Sequence, residues 1–381
     1  MTELKVSKVQ SQDDLMDFIH FPWDVYRENR YWVPPLISER VEFLDPDHNP
    51  FFQHATVEYY LAHRGPNIVG TIAAFTNDLY NEFQGVNTGF FGFFEVLEDQ
   101  EAALALFRKA DEFASRAGHD SILGPAQFST NDEVGMLVDG FDGVPRILMP
   151  YNPPRYMDYV EAAGYQKAMD LWSYKIELEN FLQNLPPKLV RVVDKVKERR
   201  NLLVRTINMK DFDQEVEHFK RVYNSSWERN WGFVPLTDPE IEYMAVQLKP
   251  MLDPNIVLMV EREGEVVGVA LALPDLCQPL HKAYPRPGTP EILSMLKLVW
   301  HWRIRGDIKW MRVYALGVMP EYRGLGVDAL MYLEVAKSAS RRGYTYAEGS
   351  WILENNEMTN RAVRLIGGEK YRTHRVYEKK L

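Results

Sequence analysis

Residues 311–328 read MRVYALGVMPEYRGLGVD and carry the strongest fold signal in the chain. The apolar run 311–318 predicts a β-strand, and a glycine-rich turn then leads into a helical pattern. Gly324 and Gly326 allow a tight turn with inward-pointing backbone N–H groups, and the helix start adds N–H groups at the positive end of the helix dipole. With Arg323 as a fixed positive charge, this stretch predicts a pocket for a pyrophosphate group.

The sequence on both sides of this turn alternates between strand and helix patterns through residues 202–381. Proline-rich residues 274–309 interrupt this order and predict an insertion that becomes helical toward its end. Strands are predicted at 202–207, 255–260, 266–273, 311–318, 344–351 and 375–379, and helices at 211–226, after Thr237, at 327–342 and at 356–366.

Residues 1–178 show a similar order of patterns, and both halves end in a helix, a glycine and a strand. Predicted strands are 57–63, 67–76, 89–96, 121–123 and 168–178, and predicted helices are 100–117 and 154–163. We therefore predict a structural duplication, an α/β fold with two tandem domains at 1–178 and 202–381. Each domain is expected to be a mostly antiparallel mixed β-sheet flanked by helices. A basic helix at 179–201 would link them, either as a solvated bridge or as a site for an acidic partner.

The composition limits the possible classes of function. The chain has 381 residues, 46% of them hydrophobic, and 44 Lys and Arg against 54 Asp and Glu give a net charge of −10. This balance argues against general nucleic-acid binding, and the single cysteine, Cys277, excludes an intrachain disulfide and a zinc site of several thiolates. The sequence has no secretory signal pattern, no run of about 18 uncharged apolar residues and no His-Glu-x-x-His motif. We expect a cytoplasmic protein with no metal, membrane or nucleic-acid partner.

The segment 318–331, VMPEYRGLGVDALM, resembles the acyl-CoA-binding motif of the GNAT superfamily of N-acyltransferases, usually written Arg/Gln-x-x-Gly-x-Gly/Ala. Arg323 and Gly326 match this motif. Asp328 departs from it, and its carboxylate must point away from a bound pyrophosphate or be offset by Arg323. The order of elements in 202–381 is also similar to that superfamily. The corresponding junction of the first half, GFFGFFEVLEDQEAALAL, is acidic and lacks the motif, which implies a degenerate N-terminal copy.

The resemblance implies an acyl-CoA-dependent N-acyltransferase, with acetyl-CoA as the first expectation and another acyl-CoA as the other. The thioester would lie where strands 311–318 and 344–351 splay apart, and a primary amine of a small molecule or peptide would attack it directly. Asn360 with Ala362 resembles a later Asn-x-x-Ala motif whose spacing here is one residue shorter. The residues implied in binding acyl-CoA are Leu316, Gly317, Val318, Arg323, Gly324, Leu325, Gly326, Val327, Asp328 and Asn360.

Direct attack requires a base, because an amine with a pKa near that of lysine, about 10.4, must first lose a proton. Glu348 is the first candidate, since an acid in an otherwise aromatic strand is costly to bury. The structural alternative is a salt-bridged carboxylate. Glu354 is the second candidate base, and Tyr314 and Tyr346 are candidate acids. Members of the superfamily often carry a tyrosine near the end of the last helix, whereas this sequence has Leu365 and Ile366 there.

Two other classes of protein fit part of the same sequence. Residues 324–329 also match the dinucleotide fingerprint Gly-x-Gly-x-x-Ala, with Glu348 about 20 residues further on. The chain that follows is too short for the further βα units of a nucleotide-binding oxidoreductase, so this alternative is the weaker. A non-catalytic acyl-CoA-binding or sensor protein is the other alternative, and Asp328 and the absent tyrosine favour it.

The acceptor is expected to lie between the two halves, because ligand sites favour the interfaces of packed domains. The polar, glycine-containing segment 124–135 is a candidate lining, with an ordinary long loop as the alternative. Trp300 and Trp302 in the insertion are candidates for covering one side, or are core residues.

Overall fold

The computed structural model describes residues 3–200, 202–228 and 230–381, with the side chains of 197–200 left undescribed. Residue 201, the last of the predicted linker, therefore lies outside the described residues. The strands are β1 Leu4–Lys8, β2 Val57–Arg64, β3 Asn67–Phe75, β4 Thr88–Val96, β5 Ser121–Gly124, β6 Met136–Asp139, β7 Gln166–Glu177, β8 Leu202–Thr206, β9 Val257–Arg262, β10 Glu265–Pro274, β11 Trp310–Val318, β12 Tyr346–Leu353 and β13 Glu369–Lys380.

Helices connect most of these strands. They are α1 Gln12–His20, α2 Pro22–Val25, α3 Ile37–Phe43, α4 Asp78–Gln84, α5 Gln100–Arg116, α6 Tyr156–Ala162, α7 Leu178–Gln183, α8 Pro187–Arg200, α9 Phe212–Trp227, α10 Asp238–Leu248, α11 Cys277–Ala283, α12 Glu291–Val299, α13 Val327–Arg341 and α14 Glu357–Leu365. Among the described residues, no helix is both long enough and apolar enough to cross a membrane.

The chain divides into two compact units. Unit 1 contains Met1–Leu171, Pro279–Arg305 and Arg372–Leu381, and unit 2 contains Trp172–Gln278 and Gly306–Tyr371. The units do not follow the chain order assumed for the predicted domains, because part of the insertion and the last ten residues belong to unit 1. The unit to which a segment belongs leaves little trace in local sequence patterns, because the residue pattern of a strand does not depend on which unit contains it.

Unit 1 is built on an antiparallel series from β1 to β4, extended by a parallel pair between β4 and β5. The C-terminal residues Tyr377–Lys380 of β13 pair antiparallel with β5. Helix α5 covers this sheet with a stripe of buried Ala, Leu and Phe side chains, as its 3.6-residue periodicity predicts. The predicted fold class, a mixed sheet flanked by helices, is confirmed.

Unit 2 repeats this plan. Strands β8, β9, β10 and β11 are antiparallel neighbours, and β12 joins β11 in parallel. Helices α8 and α13 pack on this sheet, and their apolar side chains lie in one buried core. A hairpin joins β9 and β10, with Glu263 and Gly264 at positive φ values of 54° and 87° in its turn.

Short elements of unit 1 were missed by the sequence patterns. Helix α3 follows two consecutive prolines, Pro34 and Pro35. Helix α4 has two ordinary end signals: Asn77 accepts a hydrogen bond from the backbone N–H of Tyr80, and Gly85 ends the helix in the left-handed conformation. Seven-residue helices span about two turns, which is too short for a periodic apolar pattern to appear.

The segment 124–135 of unit 1 forms a closed loop. Ala126 and Val134 form an antiparallel bridge, and the backbone N–H of Gln127 donates to the Glu133 carbonyl at 2.8 Å. The Phe128 ring is fully buried and stacks on Phe51 with ring centroids 4.9 Å apart. The loop is therefore anchored by an aromatic core, and its role in lining an acceptor site stays a prediction.

A partly buried carboxylic acid in unit 1 is hydrogen-bonded to two buried tyrosines. Glu95 on β4 accepts hydrogen bonds from the hydroxyl groups of Tyr26, at 3.0 Å, and Tyr156, at 2.8 Å. Burial is the main cause that raises the pKa of Glu95 to about 8, because an ionised carboxylate loses its hydration there. The pKa of each tyrosine is raised for the same reason. The folded chain therefore keeps a proton at Glu95 that an unfolded chain releases at lower pH.

We predict that Glu95→Gln reduces the dependence of stability on pH. The pKa of Glu95 is raised from 4.5 to about 8 on folding, so its contribution is fully present below 4.5 and is lost as pH rises through 8. The expected loss in the wild type is up to roughly 1.4 kcal/mol per pH unit in this window. The measurement is urea unfolding from pH 5 to pH 8.5. Glu98→Gln, an exposed neighbour, is the control and should keep the wild-type profile; an unaltered profile in Glu95→Gln would contradict the assignment.

Candidate functional site

Two parallel strands separate in the middle of unit 2. Strand β11 pairs with β12 from Trp310↔Tyr346 to Val313↔Gly349. Beyond this register β11 continues for five residues, and its other edge stays paired with β10 as far as Gly268↔Val318. The described parts of β11 and β12 are therefore paired at one end and separated at the other. This is the geometry expected at 311–318 and 344–351 for a ligand held between them.

The glycine-rich turn follows β11 directly. Gly324 has φ 68° and Gly326 has φ 86°, both in the left-handed region where glycine carries no steric cost. Gly326 is the N-cap of α13 and accepts a backbone hydrogen bond from Leu330 at 3.1 Å. Because the cap has no side chain, it leaves the first N–H groups of the helix to another acceptor. Asp328, in the first turn, is exposed.

Helix α8 packs against this turn. A Cβ atom built at Gly326 would lie 2.5 Å from Cγ1 of Val192 and 2.9 Å from Cγ2 of Val196. Val196 is buried, as are Leu189 and Val193 on the same helix, in the core of unit 2. The basic segment expected to be a solvated bridge thus buries one face in this unit. The charged residues of this segment favoured a solvent-exposed helix, whereas its apolar residues recur at helical spacing.

Arg323 ties the turn to helix α9. Its Nη2 atom donates to the backbone carbonyls of Ser226, at 2.8 Å, and Ser225, at 3.2 Å. These carbonyls lie in the last turn of α9, where a guanidinium satisfies acceptors that the helix leaves open. Ser226 in turn donates from its hydroxyl to the Val318 carbonyl at 3.1 Å. Arg323 therefore positions the turn in addition to supplying the charge predicted from the motif.

Helix α9 also covers the end of β11. A Cβ atom at Gly317 would lie 2.6 Å from Cη2 of the Trp227 indole, so the ring rests directly on the glycine backbone. Leu316 and Val318 flank this contact. The requirement for glycine here comes from Trp227, which sequence reasoning did not connect with the strand. The signal that could have suggested it is the aromatic series Phe219, Tyr223 and Trp227 at i, i+4 and i+8 on α9.

A buried polar cluster lies where β11 and β12 are still paired. Glu348 is 1% exposed and stands opposite Arg312 in the parallel register. Its Oε1 atom accepts a hydrogen bond from the Ser350 hydroxyl at 2.5 Å, and its Oε2 atom accepts one from the Tyr371 hydroxyl. Nε of Arg312 donates to the Ser350 hydroxyl oxygen at 3.0 Å. Buried carboxylates require such partners.

Tyr371 was missed by sequence reasoning, as were the roles of Arg312 and Ser350. Arg312 is a charged residue inside an apolar strand, which is the same signal that pointed to Glu348. Tyr371 lies on β13, 23 positions after Glu348, in a stretch with no motif. Its ring is also 6.1 Å from the ring of Trp310 and is half-buried. Only the tertiary fold, in which β7 lies between β13 and β12 in the strand order, brings this hydroxyl to the carboxylate.

The other candidates for proton transfer lie on β11, on β12 and just beyond β12. Tyr314 is partly buried, and its hydroxyl is 3.8 Å from the sulfur of Met244. Glu354 lies just beyond the end of β12 and is half-buried. Tyr346 pairs with Trp310 across the strands, and the Lys175 ammonium lies 4.7 Å from its ring centroid. Their roles as bases or acids stay predictions.

Asn360 is buried on α14. Its Nδ2 atom donates to the Leu353 carbonyl at 2.9 Å, and its Oδ1 atom accepts from the Tyr174 hydroxyl at 3.0 Å. These bonds hold the segment that follows β12, so the structure gives Asn360 a positioning role. A direct role in binding acyl-CoA stays a prediction.

Two other features of the described residues bear on a competing site. Among the described residues, no three His, Cys, Asp or Glu side chains are placed to hold a metal ion. An open groove of about 1020 Å³ lies in unit 1, with Asp17, Arg27 and Glu98 in its lining. None of the described residues that line it is a predicted site residue.

The fold corresponds to that of tandem GNAT proteins. A tandem GNAT protein from the clavulanic acid biosynthesis pathway superposes with a TM-score of 0.56 at 13% identity, covering 99% of this chain and 98% of that one. A probable N-acyltransferase from Enterococcus faecalis V583 gives 0.54 at 9% identity, covering 100% of this chain and 73% of that one. The structure thus confirms the GNAT fold implied by the motif. No protein-family model matches the chain.

Sequence relatives identify the family. The chain is 32% identical to Protein YghO of Escherichia coli K12, over 97% of this chain and 94% of the relative. It is 33% identical to the bacterial ceramide synthase of Caulobacter vibrioides, over 100% of this chain and 98% of the relative. The chain belongs to the family of these two proteins, and it is an acyltransferase of the GNAT type.

We predict that Gly326→Ala destabilises the protein more than Gly324→Ala does. Both residues have positive φ, a backbone conformation that costs an alanine roughly 1–2 kcal/mol. At Gly326 the new methyl group also meets Val192 and Val196, whereas at Gly324 nothing lies within 4 Å. Overpacking adds roughly 1–3 kcal/mol. Urea unfolding of the matched pair measures the difference, and equal losses would show that α8 does not pack on the turn.

Proposed function

We propose that the protein transfers a long-chain acyl group from acyl-CoA to the primary amine of a sphingoid-type amino alcohol, forming a ceramide-type amide. The observation that carries this proposal is the 33% identity to the Caulobacter bacterial ceramide synthase over the whole length of both chains. An acceptor specificity depends on many dispersed contacts, so similarity over the full chain supports it better than one motif does. The motif alone had favoured acetyl-CoA.

The glycine-rich turn supports the donor half of the reaction. Left-handed Gly324 and Gly326 and the uncapped start of α13 would bind the pyrophosphate of CoA through backbone N–H groups. A Cβ at Gly324 would meet nothing within 4 Å, so the approach to the turn is open there. The exposed Asp328 carboxylate can turn toward solvent. The stretch of β11 beyond its register with β12 would bind the pantetheine arm.

The Glu348 cluster supports the amine half. Glu348 is almost completely buried, so a bulky amine cannot readily reach its carboxylate, whereas Tyr371 is only half-buried. We propose that Tyr371 relays the proton. Its oxygen would accept a proton from the ammonium group while its own proton passes to Glu348 along the existing hydrogen bond. Tyr371 ends the step as a neutral phenol, and Glu348 holds the proton.

The acyl transfer that follows needs no further reagent, because every bond and proton is accounted for. The free amine attacks the thioester carbonyl, a C–N bond forms, and the C–S bond breaks to release CoA as a thiolate. A backbone N–H of β11 would stabilise the carbonyl oxygen as its negative charge develops. The attacking nitrogen loses its second proton, which would neutralise the departing thiolate. Arg312 and Ser350 hold Glu348 in place throughout, through the bonds described above.

We predict a preference for long-chain substrates. With palmitoyl-CoA and sphinganine in mixed micelles, kcat/KM should exceed the value for acetyl-CoA with spermidine or a lysine peptide by at least about 10²-fold, since each buried methylene contributes roughly 0.8 kcal/mol. The assay is release of free CoA thiol with amide detection by mass spectrometry. Faster acetylation of a soluble amine would refute the proposed substrates, and binding of acyl-CoA with no turnover would favour the sensor alternative.

We predict that Glu348→Gln and Tyr371→Phe each lower kcat by roughly 10²–10⁴-fold, the range expected for loss of general base catalysis. Affinity for acyl-CoA should change little, because the turn that would bind it is untouched. Glu357→Gln, on the exposed start of α14, is the control. Titration calorimetry with CoA and thermal unfolding would show that the variants are folded. A large loss in Glu354→Gln with a normal Glu348→Gln would instead identify Glu354 as the base.

A further inference from the structure

The insertion exposes an unusual amount of apolar surface. Of the fourteen large hydrophobic side chains that are exposed among the described residues, seven lie within residues 292–304. Each is between 44% and 64% exposed. Exposed apolar residues are common singly, but a contiguous group on one element indicates a contact surface. The seven residues, called here the apolar face, are Ile292, Leu293, Met295, Leu296, Val299, Trp300 and Ile304.

Helix α12 is oriented with its polar side inward. The Glu291 carboxylate accepts hydrogen bonds from the backbone N–H groups of Ile37, at 2.6 Å, and Ser38, at 3.1 Å. Ser294, on the side of the helix opposite Ile292 and Leu296, is 4% exposed. An ordinary surface helix has the reverse arrangement, with apolar residues toward the core. Specific polar contacts therefore hold the apolar face outward.

The same segment is positively charged in an acidic protein. Residues 279–305 contain five Lys and Arg and a single acidic residue, a net charge of +4, whereas the whole chain carries −10. Lys297 and Arg303 are exposed within the segment, and the Arg303 guanidinium lies 3.8 Å from the ring centroid of Trp302. Apolar residues, tryptophans and basic side chains on one short element are the composition of helices that lie in the headgroup region of a bilayer.

We propose that residues 291–305 dock this protein onto an anionic lipid bilayer. The apolar face would enter the boundary between headgroups and acyl chains, and Lys297 and Arg303 would contact lipid phosphates. The early expectation of no membrane partner rested on the absence of a spanning segment, which does not test for a helix lying on the surface. A second copy of the chain is the less suitable occupant, because two faces with the same positive charge repel each other.

Docking is independent of which amine is acylated. Vesicle flotation at low salt should recover the wild-type protein with vesicles of phosphatidylcholine and phosphatidylglycerol, and much less with phosphatidylcholine alone. The double variant Ile292→Asp/Leu296→Asp should bind at least tenfold more weakly. Val246→Asp places the same charge at a 70% exposed apolar position outside the segment and should bind like wild type. Thermal unfolding of all variants checks their fold.

Separate variants test the electrostatic contribution to vesicle binding. Lys297→Ala and Arg303→Ala should each lower affinity for the anionic vesicles by roughly fivefold and reduce its dependence on salt. Failure of the wild type to float with anionic vesicles would overturn the proposal, as would an equal loss in Val246→Asp. A dimer seen by analytical ultracentrifugation, lost in Ile292→Asp/Leu296→Asp and accompanied by no vesicle binding, would assign the apolar face to a second copy instead. Acylation of a short, soluble amine tests the enzymatic function separately.

Discussion

The short register between β11 and β12 is the constraint on which the rest of unit 2 depends. The described parts of these strands pair over four residues and then part, while β10 keeps the other edge of β11 in place as far as Val318. The proposed acyl-CoA arm would lie along the part of β11 that extends beyond this register. The turn at Gly324 and Gly326 stands at the end of the same strand, where the phosphates of that ligand would arrive.

The buried cluster around Glu348 is poorly explained by stability alone. Moving charges out of water costs several kcal/mol for each ion, and well-packed apolar residues of similar volume often serve stability as well or better. Here Ser350 and Tyr371 donate hydrogen bonds to the carboxylate, and Arg312 donates to Ser350, at the point where the two strands begin to separate. Such an arrangement fixes the position of one proton acceptor. The cluster lies at the proposed thioester site, where a proton acceptor in a fixed position would serve catalysis.

The proposed ceramide-forming reaction and the proposed bilayer-docking segment are physically compatible. A sphingoid base and a long-chain acyl-CoA both carry long hydrocarbon chains, which partition into membranes rather than remain in water. An enzyme that meets them by diffusion through water would see very low free concentrations. The apolar face of 292–304 and its basic neighbours would place the protein where both substrates accumulate, without any segment that crosses the bilayer.

Local features could be predicted from the sequence, whereas contacts between distant residues could not. The strand, turn and helix of 311–328, the hairpins at 64–67 and 262–265 and the burial cost of Glu348 all follow from residues close together in the chain. The partners of these features lie far away: Trp227 on Gly317, Val192 and Val196 on Gly326, and Tyr371 on Glu348. The sequence predicted that the insertion ends in a helix, but only the polar anchors of α12 showed that its apolar side faces outward. The physical reason is that propensity and turn geometry act over a few residues, while burial is decided by which surfaces the whole chain brings together.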